Sequence, residues 1–202
     1  MKICGIATAA GMDAAIAAGA DWVGLNFFPG SPRCLTPARA AALLRPAPPL
    51  RVGLFVKPDD AAIAEVLAAA KLDILQIYAD APRAAAIRAR FGLPVWRAVG
   101  VASAADLPTC DEGLDGFVIE SKPPPGATRP GGNAAVFDWS ILAGWRAPCP
   151  WMLAGGLTPE NVAAAIRATG APAVDVASGV ETAPGNKDPA LVAAFAAAAR
   201  AA

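Results

Sequence analysis

The sequence contains no histidine, and that absence excludes several kinds of catalytic site. A chain without imidazole has no Ser-His-Asp or Cys-His nucleophile pair, no His-ligated zinc or iron and no histidine general base. Proton transfer near pH 7 must then be done by a carboxyl, a thiol, a lysine or a tyrosine whose pKa is moved towards neutrality. The set of candidate catalytic residues is therefore small.

Excess charge and long apolar runs are also missing. The 17 basic and 17 acidic side chains balance, and no cluster of Lys or Arg supplies the positive surface that a nucleic-acid backbone requires. No stretch approaches the ~20 strongly apolar residues of a membrane span, and the first residues lack the features of a secretory signal. We therefore expect no nucleic-acid partner, no membrane partner and a cytoplasmic location.

The four cysteines, Cys4, Cys34, Cys110 and Cys149, are scattered and form no CxxC pair. Such spacing is typical of reduced thiols rather than of a disulfide framework or a metal knuckle, and we expect no bound metal. A length of 202 residues suits one compact domain, and no linker interrupts the range 1–202.

What the sequence does contain is a regular alternation of short β-favouring runs with alanine-rich stretches of helical spacing. The predicted strands are 2–6, 22–27, 51–56, 74–77, 95–99, 116–119, 150–153 and 173–176. The predicted helices are 11–19, 36–45, 59–71, 82–91, 102–107, 138–143, 159–169 and 188–201. Eight repeats predict an α/β fold, a (β/α)₈ TIM barrel. The alternative is an open doubly wound sheet, which is less favoured because such sheets usually stop at about five or six strands.

Glycines follow the last two predicted strands. Gly155 and Gly156 come after the seventh strand, and Ser178 and Gly179 come after the eighth. Glycine lets backbone N–H groups approach an anion closely, and the loops after strands seven and eight commonly hold phosphate in barrels of this class. We therefore expect these four residues to bind phosphate, with ordinary tight turns as the alternative.

Several reactive side chains are predicted at the carboxyl ends of strands. Cys4 lies near the end of the first strand, Glu120 ends the sixth, and Asp175 lies inside the eighth. A carboxyl within an apolar strand is costly unless it is paired or used, whereas an isolated cysteine is commonly a small buried apolar residue. Arg33 is a candidate for bidentate carboxylate binding or a solvated loop residue, and Tyr78 is more consistent with a packing role.

These residues stand in motifs that resemble the phosphoribosylanthranilate isomerase family over the chain from residue 2 to about 200. The motifs are KICGI at 2–6, GLNF at 24–27, SPR at 31–33, VGLFV at 52–56, FDW at 137–139, LAGGL at 153–157, VDVASGVE at 174–181 and KDP at 187–189. The resemblance implies a barrel that rearranges N-(5'-phosphoribosyl)anthranilate to 1-(2-carboxyphenylamino)-1-deoxyribulose 5-phosphate, in tryptophan biosynthesis, without cofactor or metal. It implies that Cys4 is the general base, with a pKa lowered in part by helix N-termini.

The same resemblance assigns the other roles. It implies that Glu120 replaces the family's aspartate as general acid, that Arg33 holds the anthranilate carboxylate and that the loops at 155–156 and 178–179 hold the phosphate. We expect Asp175 to be the third catalytic residue. Two further glycines, Gly131 and Gly132, look like the remnant of the family's glycine-rich segment before FDW and are expected to bind substrate. The family's QLHG after the fourth strand reads QIYA here, at 76–79.

Two other functions remain open at this point. One is a related phosphosugar barrel, such as a ribulose-phosphate epimerase, although those enzymes generally use metal-binding histidines that this chain lacks. The other is a barrel that binds a phosphorylated ligand without turning it over. The sequence is compatible with a monomer or a homodimer.

Overall fold

A computed structural model describes residues 1–45, 49–122, 126 and 138–202. Its main feature is a sheet of eight parallel strands that follow one another in chain order around the molecule. The strands are β1 (Lys2–Ile3), β2 (Trp22–Asn26), β3 (Leu50–Val56), β4 (Ile74–Tyr78), β5 (Val95–Val101), β6 (Gly116–Ser121), β7 (Trp151–Leu153) and β8 (Asp175–Val176).

The sheet closes on itself. Strand β8 pairs in parallel with β1, where Lys2 lies opposite Asp175. On its other side, Leu153 of β7 forms an isolated parallel bridge with Val174, and the Leu153 N–H donates to the Ala173 carbonyl at 2.9 Å. The fold is therefore the predicted TIM barrel, and the alternative of an open sheet is wrong.

Helices follow most strands on the outside of the barrel. They are α1 (Ala9–Ala17), α2 (Pro37–Leu43), α3 (Asp60–Ala69), α4 (Ala81–Phe91), α5 (Val162–Thr169) and α6 (Pro189–Arg200). Two predicted helices, at 102–107 and 138–143, are instead short 3-10 turns at Ala104–Asp106 and Trp139–Leu142. Within the described residues, no α-helix follows β5 or β6.

Local sequence explains where several helices begin. Asp188 caps α6 by accepting hydrogen bonds from the backbone of Ala190 and Leu191, and Pro189 occupies the first turn, where no N–H is needed. Thr36 and Pro37 do the same for α2. Helix α4 ends at Gly92, whose left-handed conformation (φ 66°) is one that glycine adopts without strain.

Apolar side chains fill two spaces. The larger cluster lies between the helices and the outer face of the sheet and includes Ile63, Ile87 and Phe195, each fully buried. The other lies inside the barrel, where Trp22 and Trp96 meet edge to face at 5.4 Å below the mouth. Because this interior is filled, any ligand site must lie above it at the carboxyl ends of the strands.

One element was not predicted. After β8, a 3-10 turn (Ser178–Val180) leads into an antiparallel hairpin of β9 (Glu181–Ala183) and β10 (Asn186–Lys187), which places Lys187 opposite Glu181. Within the described ranges, no helix is both long and apolar enough to span a membrane.

Candidate active site

A cavity opens at the carboxyl ends of the strands, and most of the predicted site residues line it. These are Cys4, Arg33, Glu120, Gly155, Gly156, Asp175 and Ser178, together with Tyr78, Asn26 and Phe28. Gly179 does not line the cavity, and Gly131 and Gly132 lie outside the described residues. Residues from seven of the eight strands, or from the loops directly after them, thus converge on one space, as the barrel topology requires.

Cys4 lies immediately after β1 and is 6% exposed, with its side chain at the wall of the cavity. Its backbone N–H donates to the Val176 carbonyl at 2.8 Å, which extends the pairing of β1 with β8 by one step. The neighbouring position on β2 is Gly24, where an added Cβ would lie 2.6 Å from the Cys4 Sγ. The glycine of the GLNF motif therefore makes room for the thiol.

The electrostatic surroundings of Cys4 differ from the prediction. Burial, and after it the charge of Asp175, raises the pKa of the Cys4 thiol to about 11, against the opposing effects of Lys2, Lys187 and Arg33. The predicted lowering of this pKa by helix N-termini is therefore wrong. The thiol is the stable form of Cys4 near neutral pH.

Glu120, at the end of β6, also has a raised pKa, which makes it a proton donor at neutral pH. It is 5% exposed, and burial raises the pKa of its carboxyl to about 8, even though a hydrogen bond from the Tyr78 hydroxyl favours the carboxylate. The nearby charge of Asp175 raises the same pKa further. Glu120 therefore carries a proton at neutral pH, which an isolated surface glutamate does not.

A buried polar network runs below the cavity between these groups. The fully buried Lys2 ammonium donates to Gln76 Oε1 at 2.6 Å and to Asp175 Oδ2 at 2.9 Å. The Gln76 amide in turn donates to the Tyr78 hydroxyl oxygen at 3.3 Å, which leaves the Tyr78 proton free for Glu120. The ammonium of Lys2 compensates the buried charge of Asp175, which would otherwise be costly.

One carboxylate oxygen of Asp175 is unpaired among the described residues. Its Oδ1 is buried and has no hydrogen-bond partner within the described part of the chain. Because the residue lines the cavity, this oxygen is a ready acceptor for a ligand O–H or N–H group.

Arg33 lies on the loop after β2, and its guanidinium is paired with the carboxylate of Glu181. Its Nε and Nη2 donate to the two carboxylate oxygens of Glu181 at 2.8 and 2.6 Å, and Lys187 Nζ donates to the same carboxylate at 2.7 Å. Arg33 is only 6% exposed, and the close approach of its side chain to Gly5 requires a residue without a Cβ there. The solvated loop arginine that the sequence also allowed is thereby excluded.

The glycine loops lie side by side. Gly155 and Gly156 have φ of 88° and 64°, and their loop is fixed by Asn161, whose amide Nδ2 donates to the Gly156 carbonyl at 3.0 Å. At Gly179 a Cβ would lie 2.0 Å from the Leu157 carbonyl oxygen, so this glycine lets the two loops pack together. The backbone N–H groups of Gly155, Gly156 and Ser178 donate to no other described residue, which suits an anion.

A protein-family model described as N-(5'phosphoribosyl)anthranilate (PRA) isomerase matches residues 1–198. The N-(5'-phosphoribosyl)anthranilate isomerase of Acidiphilium cryptum is 64% identical over 201 residues, covering 100% of this chain and 98% of the relative. The chain belongs to the N-(5'-phosphoribosyl)anthranilate isomerase family. This agrees with the resemblance found in the sequence motifs.

Solved structures of this isomerase family share the fold. One is the isomerase in complex with reduced 1-(o-carboxyphenylamino)-1-deoxyribulose 5-phosphate, with a TM-score of 0.83 and 31% identity over 100% of this chain and 98% of that one. Another holds monomers of the dimeric isomerase from Thermotoga maritima, with the same TM-score, identity and coverage. Both likenesses extend over the whole barrel.

Sequence reasoning missed three polar residues of this isomerase site: Lys2, Gln76 and Glu181. Each lay inside a motif already noted, but nothing marked it as more than part of the pattern. Lys2 and Gln76 carried a detectable signal, since a cation and an amide within predicted buried strands both require partners. Glu181 carried none, because its hairpin was not predicted.

Proposed function

We propose that Cys4 and Glu120 perform the proton transfers by which this isomerase of tryptophan biosynthesis converts N-(5'-phosphoribosyl)anthranilate to 1-(2-carboxyphenylamino)-1-deoxyribulose 5-phosphate. The observation that carries the proposal is that one thiol and one protonated carboxyl face the same cavity. Because burial raises the pKa of the Glu120 carboxyl to about 8, Glu120 is suited to donate a proton.

The reaction needs one proton in and one proton out. Glu120 gives its proton to the ribose ring oxygen, the bond between that oxygen and carbon 1 breaks, and the anthranilate nitrogen forms a protonated Schiff base with carbon 1. The Cys4 thiolate then removes the proton from carbon 2, which yields an enolamine, and the enolamine tautomerises to the ketone. Substrate and product are isomers, so no electron acceptor is required.

Asp175 would hold the substrate rather than exchange protons with it. Its Oδ2 is engaged by Lys2, whereas its unpartnered Oδ1 faces the cavity. We assign it as the acceptor for a sugar hydroxyl or for the anthranilate N–H. This makes Asp175 a catalytic residue in the sense that it touches the reacting sugar.

The two anionic ends of the substrate have separate places. Arg33 would bind the anthranilate carboxylate, since a guanidinium presents a planar set of donors that matches a carboxylate. The free N–H groups of Gly155, Gly156 and Ser178 would bind the phosphate. Gly179 supports that site by letting the two loops approach, and its own contact with phosphate stays a prediction, as do the roles of Gly131 and Gly132.

Some expectations remain as they were. The cytoplasmic location and the choice between monomer and homodimer stay predictions for this chain. The two other functions considered, an epimerase and a non-catalytic binder, gain nothing from the site, because no feature of it favours either over the family reaction.

Turnover of freshly prepared N-(5'-phosphoribosyl)anthranilate, followed by the loss of its fluorescence, tests the assignment. We expect Cys4→Ser and Glu120→Gln each to lower kcat by about 10²- to 10⁴-fold, the usual contribution of a general acid or base. The exposed Cys110→Ser and Glu65→Gln are matched controls and should keep full activity. Undiminished activity in Cys4→Ser or Glu120→Gln would show that the proton transfers are assigned to the wrong residues.

A further inference from the structure

Arg33 belongs to a cluster with two charged residues, Glu181 and Lys187, that do not line the cavity. Glu181 and Lys187 come from the hairpin after β8 and lie on the far side of the Arg33 guanidinium. The side chains of all three residues are less than a tenth exposed. A buried cluster with two cations and one anion has a net positive charge, which costs free energy unless an anion is bound.

We propose that Glu181 is the positioning residue for Arg33 and that Glu181 and Lys187 together tune the Arg33 subsite to one monoanionic carboxylate. The proposal rests on the proposed function, in which the anthranilate carboxylate occupies this subsite. Glu181 touches no substrate in this scheme and acts only through Arg33.

Glu181 fixes the direction in which the Arg33 guanidinium points. An arginine has five N–H donors, and Glu181 engages Nε and one N–H of Nη2 in a bidentate pair. The donors that remain are those of Nη1 and the second N–H of Nη2, along one edge of the guanidinium. Since Glu181 fixes the plane of the group, that edge has one orientation, and Arg33 pays little conformational entropy when a carboxylate binds.

Lys187 changes the net charge of the cluster around Arg33. Arg33 and Glu181 alone would form a neutral pair with little net attraction for an anion. Lys187 adds a cation to the same carboxylate at 2.7 Å and is anchored by a further hydrogen bond to the Ala177 carbonyl at 2.9 Å. Burial lowers the pKa of Lys187 from its usual value, and Glu181 opposes that effect. Because Lys187 balances the negative charge of Glu181, the positive charge of Arg33 is left available to the ligand.

Two glycines make room for the side chains of Arg33 and Lys187. At Gly5, which has φ of 71°, a Cβ would lie 2.3 Å from the Arg33 Cδ. At Gly11 a Cβ would lie 3.2 Å from the Lys187 Cγ. The chain therefore provides space for both cations to reach Glu181, which is the arrangement a positioning cluster requires.

The test compares KM and kcat in Glu181→Gln, Arg33→Met and the double variant, with Glu65→Gln as the control for loss of an exposed carboxylate. We expect Glu181→Gln to raise KM about tenfold while kcat falls less than about threefold, and Glu181→Asp to restore part of the loss. In the Arg33→Met background, Glu181→Gln should have no further effect on KM, since it acts through Arg33. Equal losses in both backgrounds would overturn the proposal.

A binding measurement separates this role from a merely structural one. Calorimetry with anthranilate and with inorganic phosphate as probes should show weaker anthranilate binding in Glu181→Gln and unchanged phosphate binding. Loss of both would mean that the substitution disturbs the whole site and would refute the specific role. Failure of the wild type to turn over substrate would instead contradict the proposed function, whatever the anthranilate result. If Glu181→Gln does not fold, the kinetic and calorimetric measurements are made on Glu181→Asp instead.

Discussion

The pKa order of Cys4 and Glu120 makes an unusual prediction for the pH dependence of catalysis. In the proposed mechanism, the reactive form has a thiolate at Cys4 and a protonated carboxyl at Glu120. The thiol has a pKa of about 11 and the carboxyl one of about 8, so the base holds its proton more tightly than the acid does. At pH 7 most of Glu120 is in the required form, but only about one Cys4 in 10⁴ is a thiolate.

The shape of the profile follows from these two values. Below pH 8, kcat/KM should rise tenfold per pH unit, because the thiolate fraction rises while Glu120 stays protonated. Between about 8 and about 11 it should be level, since each gain in thiolate is offset by loss of the Glu120 proton. Above pH 11 it should fall. The break near pH 8 therefore reports Glu120, whereas the rising limb below it reports ionisation of Cys4.

Two measurements check this order. The fluorescence assay across pH 6 to 10 gives the kcat/KM profile, which reports the free enzyme. In Glu120→Gln the break near pH 8 should disappear, leaving a much slower rate that still rises through pH 10. Alkylation of Cys4 by iodoacetamide, followed by mass spectrometry of the N-terminal peptide, should be slower at pH 7 than that of the exposed Cys110. Rapid alkylation of Cys4 at pH 7 would refute the reasoning.

Three further outcomes are expected. Gly24→Ala should move the Cys4 thiol by about 1 Å and lower kcat about 10²-fold with little change in KM, measured in the same assay. Lys2→Met should cost about 3–5 kcal/mol in urea unfolding because it leaves the Asp175 carboxylate buried without its ion pair; a stability equal to wild type would contradict this pairing. Tyr78→Phe should move the break that ends the rising limb about one pH unit higher, since it removes a hydrogen bond to the carboxylate form of the acid.

The sequence predicted the barrel well because its evidence is repeated along the chain. Each strand such as β3 or β6 is a short apolar run, and the predicted bounds differ from those observed by a few residues. The pattern failed at 102–107 and 138–143, where apolar spacing suggested helices but the connections are 3-10 turns. Apolar spacing over a few residues does not distinguish an α-helix from a short 3-10 turn followed by irregular chain.

The sequence predicted which residues meet at the candidate site but not how their charges and pKa values interact. Cys4, Glu120 and Asp175 were placed at one mouth because parallel strands bring their carboxyl ends together. The direction of the Cys4 pKa was wrong, because burial and the Asp175 charge are properties of the packed structure. The pairing of Arg33 with Glu181 joins residues 148 positions apart through an unpredicted hairpin, so local sequence held no sign of it.

The high pKa of Cys4 is consistent with a base that acts second. The proposed mechanism first uses the thiolate after ring opening, and burial keeps most Cys4 protonated until the thiol proton is lost to solvent. In that mechanism, the protonated Schiff base formed after Glu120 gives up its proton places a positive charge close to Cys4, and an opposite charge within a few ångströms favours the thiolate. In a chain without histidine, the intermediate itself thus helps to lower the pKa of the base, in the step where that base is needed.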